Sequence, residues 1–220
     1  MKRMVAIATA VVCSCLVASV AVASPLKDYS LGKTAADYTC YPNENVTDSW
    51  SGSDSGTTTE HPKKANYSWG VTTGLDGNLA VQYPQFNPKM DDSDYGVKTQ
   101  EINVLYKLNQ QMSAFVGWHQ GKYSNTAYSD YTMENENAIQ VGLVGSMPIA
   151  PKTELFGVVG LGKDLANYEA GISYKIAKNL DVNAEYRYKK VKNLEDSCEG
   201  YYYHDTITAK GVGLGITYSF

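Results

Sequence analysis

Residues Leu180 to Lys189 divide by parity: Leu180, Val182, Ala184, Tyr186 and Tyr188 are apolar, while Asp181, Asn183, Glu185, Arg187 and Lys189 are polar or charged. A period of two is a β-strand with one oily face and one wet face. The same split runs through Asn66 to Leu75, where Tyr67, Trp69, Val71, Thr73 and Leu75 share a face, and through Tyr168 to Ile176. Beyond Val22 no apolar run approaches the roughly 18 residues of a spanning helix, so a helical membrane protein is excluded. One such strand fits a soluble sandwich as well as a barrel.

The spacing of the strands separates the two. Ten segments carry the pattern, at 31–41, 65–74, 79–87, 98–108, 112–121, 136–147, 153–161, 167–176, 180–191 and 206–220. Most are close to the ~9–11 residues that a tilted strand needs to cross a bilayer. Their connections alternate between short (Asp76-Gly77-Asn78, Asn109-Gln110-Gln111, Ala177-Lys178-Asn179) and long (Phe86 to Val97, Lys122 to Asn135, Lys192 to Asp205). Only the short link Gly162 to Ala166 breaks the alternation. Short turns on one rim and long loops on the other are the habit of outer-membrane barrels. The expectation is an all-β, transmembrane, antiparallel up-and-down β-barrel of ten strands. Eight is the alternative if two segments are loop or plug, the weakest being Leu31 to Tyr41 and the Pro84-containing Leu79 to Asn87.

Both ends of the chain carry address signals. Lys2 and Arg3 precede an uncharged stretch from Met4 to Val22 that ends in Ala21-Val22-Ala23, which reads as a secretory signal peptide over residues 1–23, with the barrel over 24–220. Its removal takes two basic residues and moves the net charge from −4 to −6, which argues against a nucleic-acid partner. At the other end Val212, Leu214, Ile216, Tyr218 and Phe220 alternate with Gly211, Gly213, Gly215, Thr217 and Ser219. Here the chain resembles the Gram-negative outer-membrane β-barrel proteins, in particular the small barrels of the OmpA transmembrane-domain or porin family. The resemblance implies that Leu214, Ile216, Tyr218 and Phe220 form the signal read by the barrel-assembly machinery. It also implies residence in the outer membrane among its lipids, as a monomer.

A barrel of this size has a lumen largely filled by side chains. Glu101, Asn103, Lys107, His119, Glu169, Lys175, Glu185 and Arg187 fall on inward positions as a polar network, together with Gln82, Gln140, Asp181, Asn183 and Lys189. Paired, they form a core that holds the wall together; the competing reading is a narrow pore for ions or small solutes. Cys40 and Cys198 are the only two cysteines outside residues 1–23. Closure of first strand on last would bring them to one rim, where a disulfide or two free thiols are both open.

No enzyme motif stands in the chain. Of the three histidines, His61 lies in the polar stretch Pro42 to Lys64, His119 points inward, and His204 and Asp205 fall on opposite faces of one strand. Asp91, Asp92 and Asp94 offer oxygen ligands of the kind Ca²⁺ takes, but a solvated loop is the simpler reading, and no metal or cofactor is expected. Thr47 to Glu60 reads as a mobile loop. The loop Tyr123 to Asn137 and the run Tyr201-Tyr202-Tyr203 have the Tyr, Ser and Asn mixture of recognition surfaces. They suggest adhesion to a host or neighbouring-cell surface, against the plainer reading of an aromatic girdle. A structural or surface-interaction role is therefore the leading expectation, with the narrow porin second.

Overall fold

The structure, a computed structural model, describes residues 25–52, 54–62, 64–90, 96–124, 132–133, 135–198 and 201–220. The expected signal peptide, the Asp91, Asp92 and Asp94 cluster and most of the Tyr123 to Asn137 loop lie outside them. Thirteen strands follow one another as β1 (Thr34–Tyr41), β2 (Asn45–Gly52), β3 (Ser55–Glu60), β4 (Asn66–Asp76), β5 (Leu79–Phe86), β6 (Gly96–Lys107), β7 (Met112–Ser124), β8 (Thr132–Met133), β9 (Asn135–Ala150), β10 (Thr153–Gly162), β11 (Leu165–Ala177), β12 (Leu180–Cys198) and β13 (Tyr201–Ser219). Ten of them close an antiparallel barrel in the order β1-β4-β5-β6-β7-β9-β10-β11-β12-β13. β13 returns to β1 through a register running from Ala35↔Ser219 to Cys40↔Leu214. The wall has ten strands rather than eight, and both weak segments belong to it. In β5 the proline leaves its mark: the ladder to β6 runs from Leu79↔Tyr106 to Gln82↔Asn103 and resumes only at Gln85↔Gln100.

One rim is built of short turns at 77–78, 108–111, 151–152 and 178–179, and it also receives the first residue of β1 and the last of β13. Gly77 has φ 39° and Lys152 φ 67°. Such left-handed positions let a two-residue turn follow the twist of its strands. The opposite rim is taller. The polar stretch 42–64, in which 47–60 is expected as a mobile loop, instead contains the hairpin β2–β3, with β2 laid along the upper half of β13 from Asn45↔Lys210 to Gly52↔Tyr203. Likewise 192–205, expected as a loop, continues the β12–β13 ladder up to Cys198↔Tyr201 beyond a bulge between Val191 and Leu194. With β8 on the far side of β12, this makes a five-stranded flap, β3-β2-β13-β12-β8, standing above the wall. The hairpin has polar residues on both faces, so no oily face announced it. One face is exposed and carries cross-strand hydroxyl pairs, Thr47 with Thr59 at 2.9 Å and Thr57 with Ser49 at 3.2 Å, while Val46 on the other is buried.

The flap also sets Cys40 and Cys198, expected at one rim, at different heights. Cys40 is a free cysteine opposite Leu214, whereas Cys198 sits opposite Tyr201. Thirteen residues of β13 separate those levels, about 43 Å of strand. A disulfide needs Cα atoms within roughly 7 Å.

Alternation sorts the wall into two surfaces. Ile102, Val104, Val116, Ile139, Val141, Leu155, Ile172, Val212, Leu214, Ile216 and Phe220 are exposed on the outside. Aromatic residues gather at the two ends of this apolar face, Tyr106, Tyr174 and Tyr218 toward the short turns and Tyr67, Tyr168 and Tyr188 toward the tall rim. In β13 the inward partners are glycines because space inside is scarce. A Cβ on Gly213 would come within 2.6 Å of the Tyr41 ring.

Candidate functional site: a closed lumen

The interior is stacked in three layers between the rims. At the short-turn end the segment before β1 folds back into the barrel. Tyr29 is 1% exposed and packs with Ala80, Leu105, Phe115 and Val144. Its hydroxyl donates to Ser113 Oγ at 2.9 Å, and Lys107 Nζ lies 5.2 Å from its ring centroid. Gly74 makes the entry feasible, since a Cβ there would stand 2.5 Å from the Tyr29 and Ser30 carbonyls. The segment is tied down by the Gly74 amide donating to the Lys33 carbonyl at 2.8 Å and by an ion pair from Lys27 to Glu154. The Ser30 hydroxyl and amide hold the Asp28 carboxyl below the usual carboxylate range.

The middle layer is polar and its members come from facing strands. Lys189 donates to Glu101 at 2.6 Å and to Thr99 at 3.0 Å. Gln140 Nε2 reaches Glu101 Oε2 at 2.6 Å and Asn103 Oδ1 at 2.8 Å, and Asn103 donates on to Gln82 at 3.1 Å. His119, fully enclosed, has Nδ1 3.3 Å from Glu101. Beside this group Arg187 donates to Glu169 through Nη2 at 2.6 Å and Nε at 3.1 Å, and its Nη2 lies 3.4 Å from Glu185. The guanidinium lies 5.1 Å from the Tyr41 ring centroid and 5.0 Å from that of Phe86, beside two rings that meet edge-on at 5.6 Å, and the Tyr41 hydroxyl donates to Glu185. Charged hydrogen bonds of this kind are the strong ones, and their enclosure makes each member dependent on the others.

The outer layer is apolar again, formed by Tyr41, Val46, Phe86, Met90, Val97, Leu165, Val191, Leu194, Ile207 and Ala209. Above it Glu44, from the turn between β1 and β2, accepts from Asn66 Nδ2 at 2.8 Å, while Asn66 Nδ2 also donates to the Lys89 carbonyl at 3.2 Å and its Oδ1 accepts from the Lys89 amide at 3.0 Å. Burial pushes the Glu44 carboxyl up to about 7, against the smaller opposing pull of Asn66 and Arg187.

Six of the eight residues singled out as a lumen network, Glu101, Asn103, His119, Glu169, Glu185 and Arg187, meet in the middle layer. Lys107 belongs to the Tyr29 layer, and Lys175 lies exposed at the short-turn rim, 3.2 Å from Asp181. Tyr29, Glu44 and Tyr41 are interior residues that the strand pattern did not single out. Tyr41 follows the inward parity of Asp37 and Thr39, but Tyr29 and Glu44 lie outside strands, where parity says nothing. Next to the middle layer a cavity of about 40 Å³ remains, bordered by Gln82, Glu101, Glu169, Arg187 and Lys189. That volume holds a water or two. Leu214, Ile216, Tyr218 and Phe220 all lie on the outside of the wall. Among the described residues no group of three or more His, Cys, Asp or Glu side chains is placed to hold a metal ion.

No protein-family model matches the chain, and no curated protein does. Among solved structures it is similar to the outer membrane protease OmpT from Escherichia coli, with 10% identity, 89% of this chain and 99% of that one covered and a TM-score of 0.47. It is similar also to Ail, the attachment invasion locus protein of Yersinia pestis, at 12% identity over 86% of this chain and 99% of that one, TM-score 0.31. A third is Neisserial surface protein A, at 13% identity over 86% and 99%, TM-score 0.37. With identities this low and TM-scores below 0.5, these likenesses carry no argument about activity.

Proposed function

We propose that the chain is an integral outer-membrane β-barrel of a Gram-negative bacterium, with its lumen closed and its work done as a structural or surface-interacting element. The membrane reading is supported by the closed wall, its apolar outside face and the aromatic belts at both ends of that face. On this reading residues 1–23 are the export signal, the short-turn rim faces the periplasm, and the outward row ending at Phe220 addresses the barrel-assembly machinery. The observation that carries a non-conducting role is the three-layer filling of the lumen, in which two apolar layers enclose a paired polar one. The same enclosure leaves His119 and its carboxylate partner no approach for a substrate, which supports a non-enzymatic role. Contact with other surfaces then falls to the flap, where Tyr202 is 74% exposed.

Planar-bilayer recording of the refolded chain lacking residues 1–23 tests the reading. No discrete conductance is expected. Steps that change in size with Arg187→Ala would overturn it in favour of the narrow porin. Replacing β2–β3 by a short Gly-Ser link and measuring cell binding tests the surface role, which unchanged binding of a cell-adherent wild type would sink.

A further inference from the structure

On the outside of β5, β6, β7 and β9, cross-strand register stacks three kinds of residue in rows. Ile102, Trp118 and Ile139 stand side by side in the apolar face; one step toward the tall rim come Gln100, Gln120 and Asn137; one step further come Lys98, Lys122 and Asn135. The middle row is a continuous amide ladder. Gln85 donates to the Tyr83 hydroxyl at 2.8 Å, Tyr83 to Gln100 at 3.1 Å, Gln100 to Gln120 at 2.7 Å and Gln120 to Asn137 at 3.1 Å. Trp69 flanks it, its ring edge-on to Tyr83 at 5.6 Å. Across the barrel the outward positions of β11, β12 and β13 at the tall-rim end of the apolar face carry Tyr168, Tyr188, Lys190 and Lys210, with no amide among them.

We infer that this face binds the headgroup of a phosphorylated glycolipid in the outer leaflet. Each amide in the ladder still has one N–H and one lone pair to offer, which is the donor and acceptor mixture that sugar hydroxyls require. Self-pairing meets part of each amide's hydrogen-bonding need at the hydrocarbon boundary and leaves the rest for a polar headgroup. Lys98 and Lys122, directly opposite in register and both exposed, set two ammonium groups above that row, where a sugar-borne phosphate would lie when the acyl chains rest on the Ile102, Trp118 and Ile139 row. The chemistry is therefore layered as the lipid is: acyl chain, sugar, phosphate.

The inference rests on the membrane-barrel reading, and the test separates the two. The chain lacking residues 1–23 is folded into phosphatidylcholine nanodiscs and titrated with a bis-phosphorylated diglucosamine lipid or its dephosphorylated form, bound lipid being counted by native mass spectrometry. Retention of the phosphorylated lipid should weaken about thirtyfold in Lys98→Gln/Lys122→Gln, at about fivefold per lysine near a charged surface, with no change for the dephosphorylated one. Gln100→Leu/Gln120→Leu should weaken both, and Lys190→Gln/Lys210→Gln should stay within about twofold of wild type. Equal losses from the two lysine pairs, or unchanged retention in the amide pair, overturn the site while leaving the barrel standing. Failure of the wild-type chain to enter the nanodisc overturns the membrane reading and the site with it.

Discussion

The middle layer of the lumen and the layer around Tyr29 close the same barrel by opposite chemistry. Around Arg187 one guanidinium serves both Glu169 and Glu185, and Glu185 also takes the Tyr41 hydroxyl, so the loss of the cation strands two carboxylates. Around Tyr29 the partners are mostly apolar, and a change there removes contact area or a single hydrogen bond. The difference teaches that the polar layer depends on keeping each enclosed carboxylate beside its cation, whereas the apolar layers degrade gradually.

The largest effect is expected from Arg187→Ala. It leaves Glu169 and Glu185 enclosed without their shared cation, and should lower resistance to urea unfolding in lipid vesicles by about 3–5 kcal/mol. A loss under about 1 kcal/mol would show that the layer relaxes as the apolar ones do. Glu44→Gln comes second and depends on pH. The Glu44 carboxyl lies near 7 in the folded barrel against 4.5 for an ordinary one, so the folded state holds the extra proton between those values and stability falls as pH rises through that window. The glutamine variant should therefore be the more stable at pH 8, by up to about 3 kcal/mol, with the advantage gone below pH 4.5. Unfolding curves at pH 4 and pH 8 that shift in parallel would contradict this. Tyr29→Phe is the mildest: losing the bond to Ser113 while keeping the ring should cost about 1 kcal/mol. A larger cost would mean that the hydroxyl, rather than the ring, holds the segment inside.

The wall was legible because a strand with oil on one side and a packed lumen on the other must alternate, and all ten wall strands overlap the ten alternating segments. The hairpin β2–β3 was not, because the face that carries Val46 and Trp50 also carries Asp48, Thr58 and Glu60, which leaves no apolar parity to read. The inward positions of Glu101, His119, Glu169, Glu185 and Arg187 followed from the same parity, but which acid meets which base did not. Glu101 takes Lys189, which is 88 residues away, while Glu169 takes Arg187 on the neighbouring strand. Cys40 and Cys198 show the limit most plainly: closure sets which strands are neighbours, and only the length of the β12–β13 ladder sets the height at which each residue stands.

What the sequence alone determined is the class of object, since parity, segment length and loop asymmetry are local properties that any conformation of this chain must satisfy. What only the tertiary structure decided is how the lumen is filled. Tyr29 enters because Gly74 leaves room, Glu44 turns in because Asn66 receives it, and Arg187 lies against two rings and two carboxylates. Each of these is a meeting of groups distant in the chain. Their cost is set by the water they exclude together, which no local pattern records.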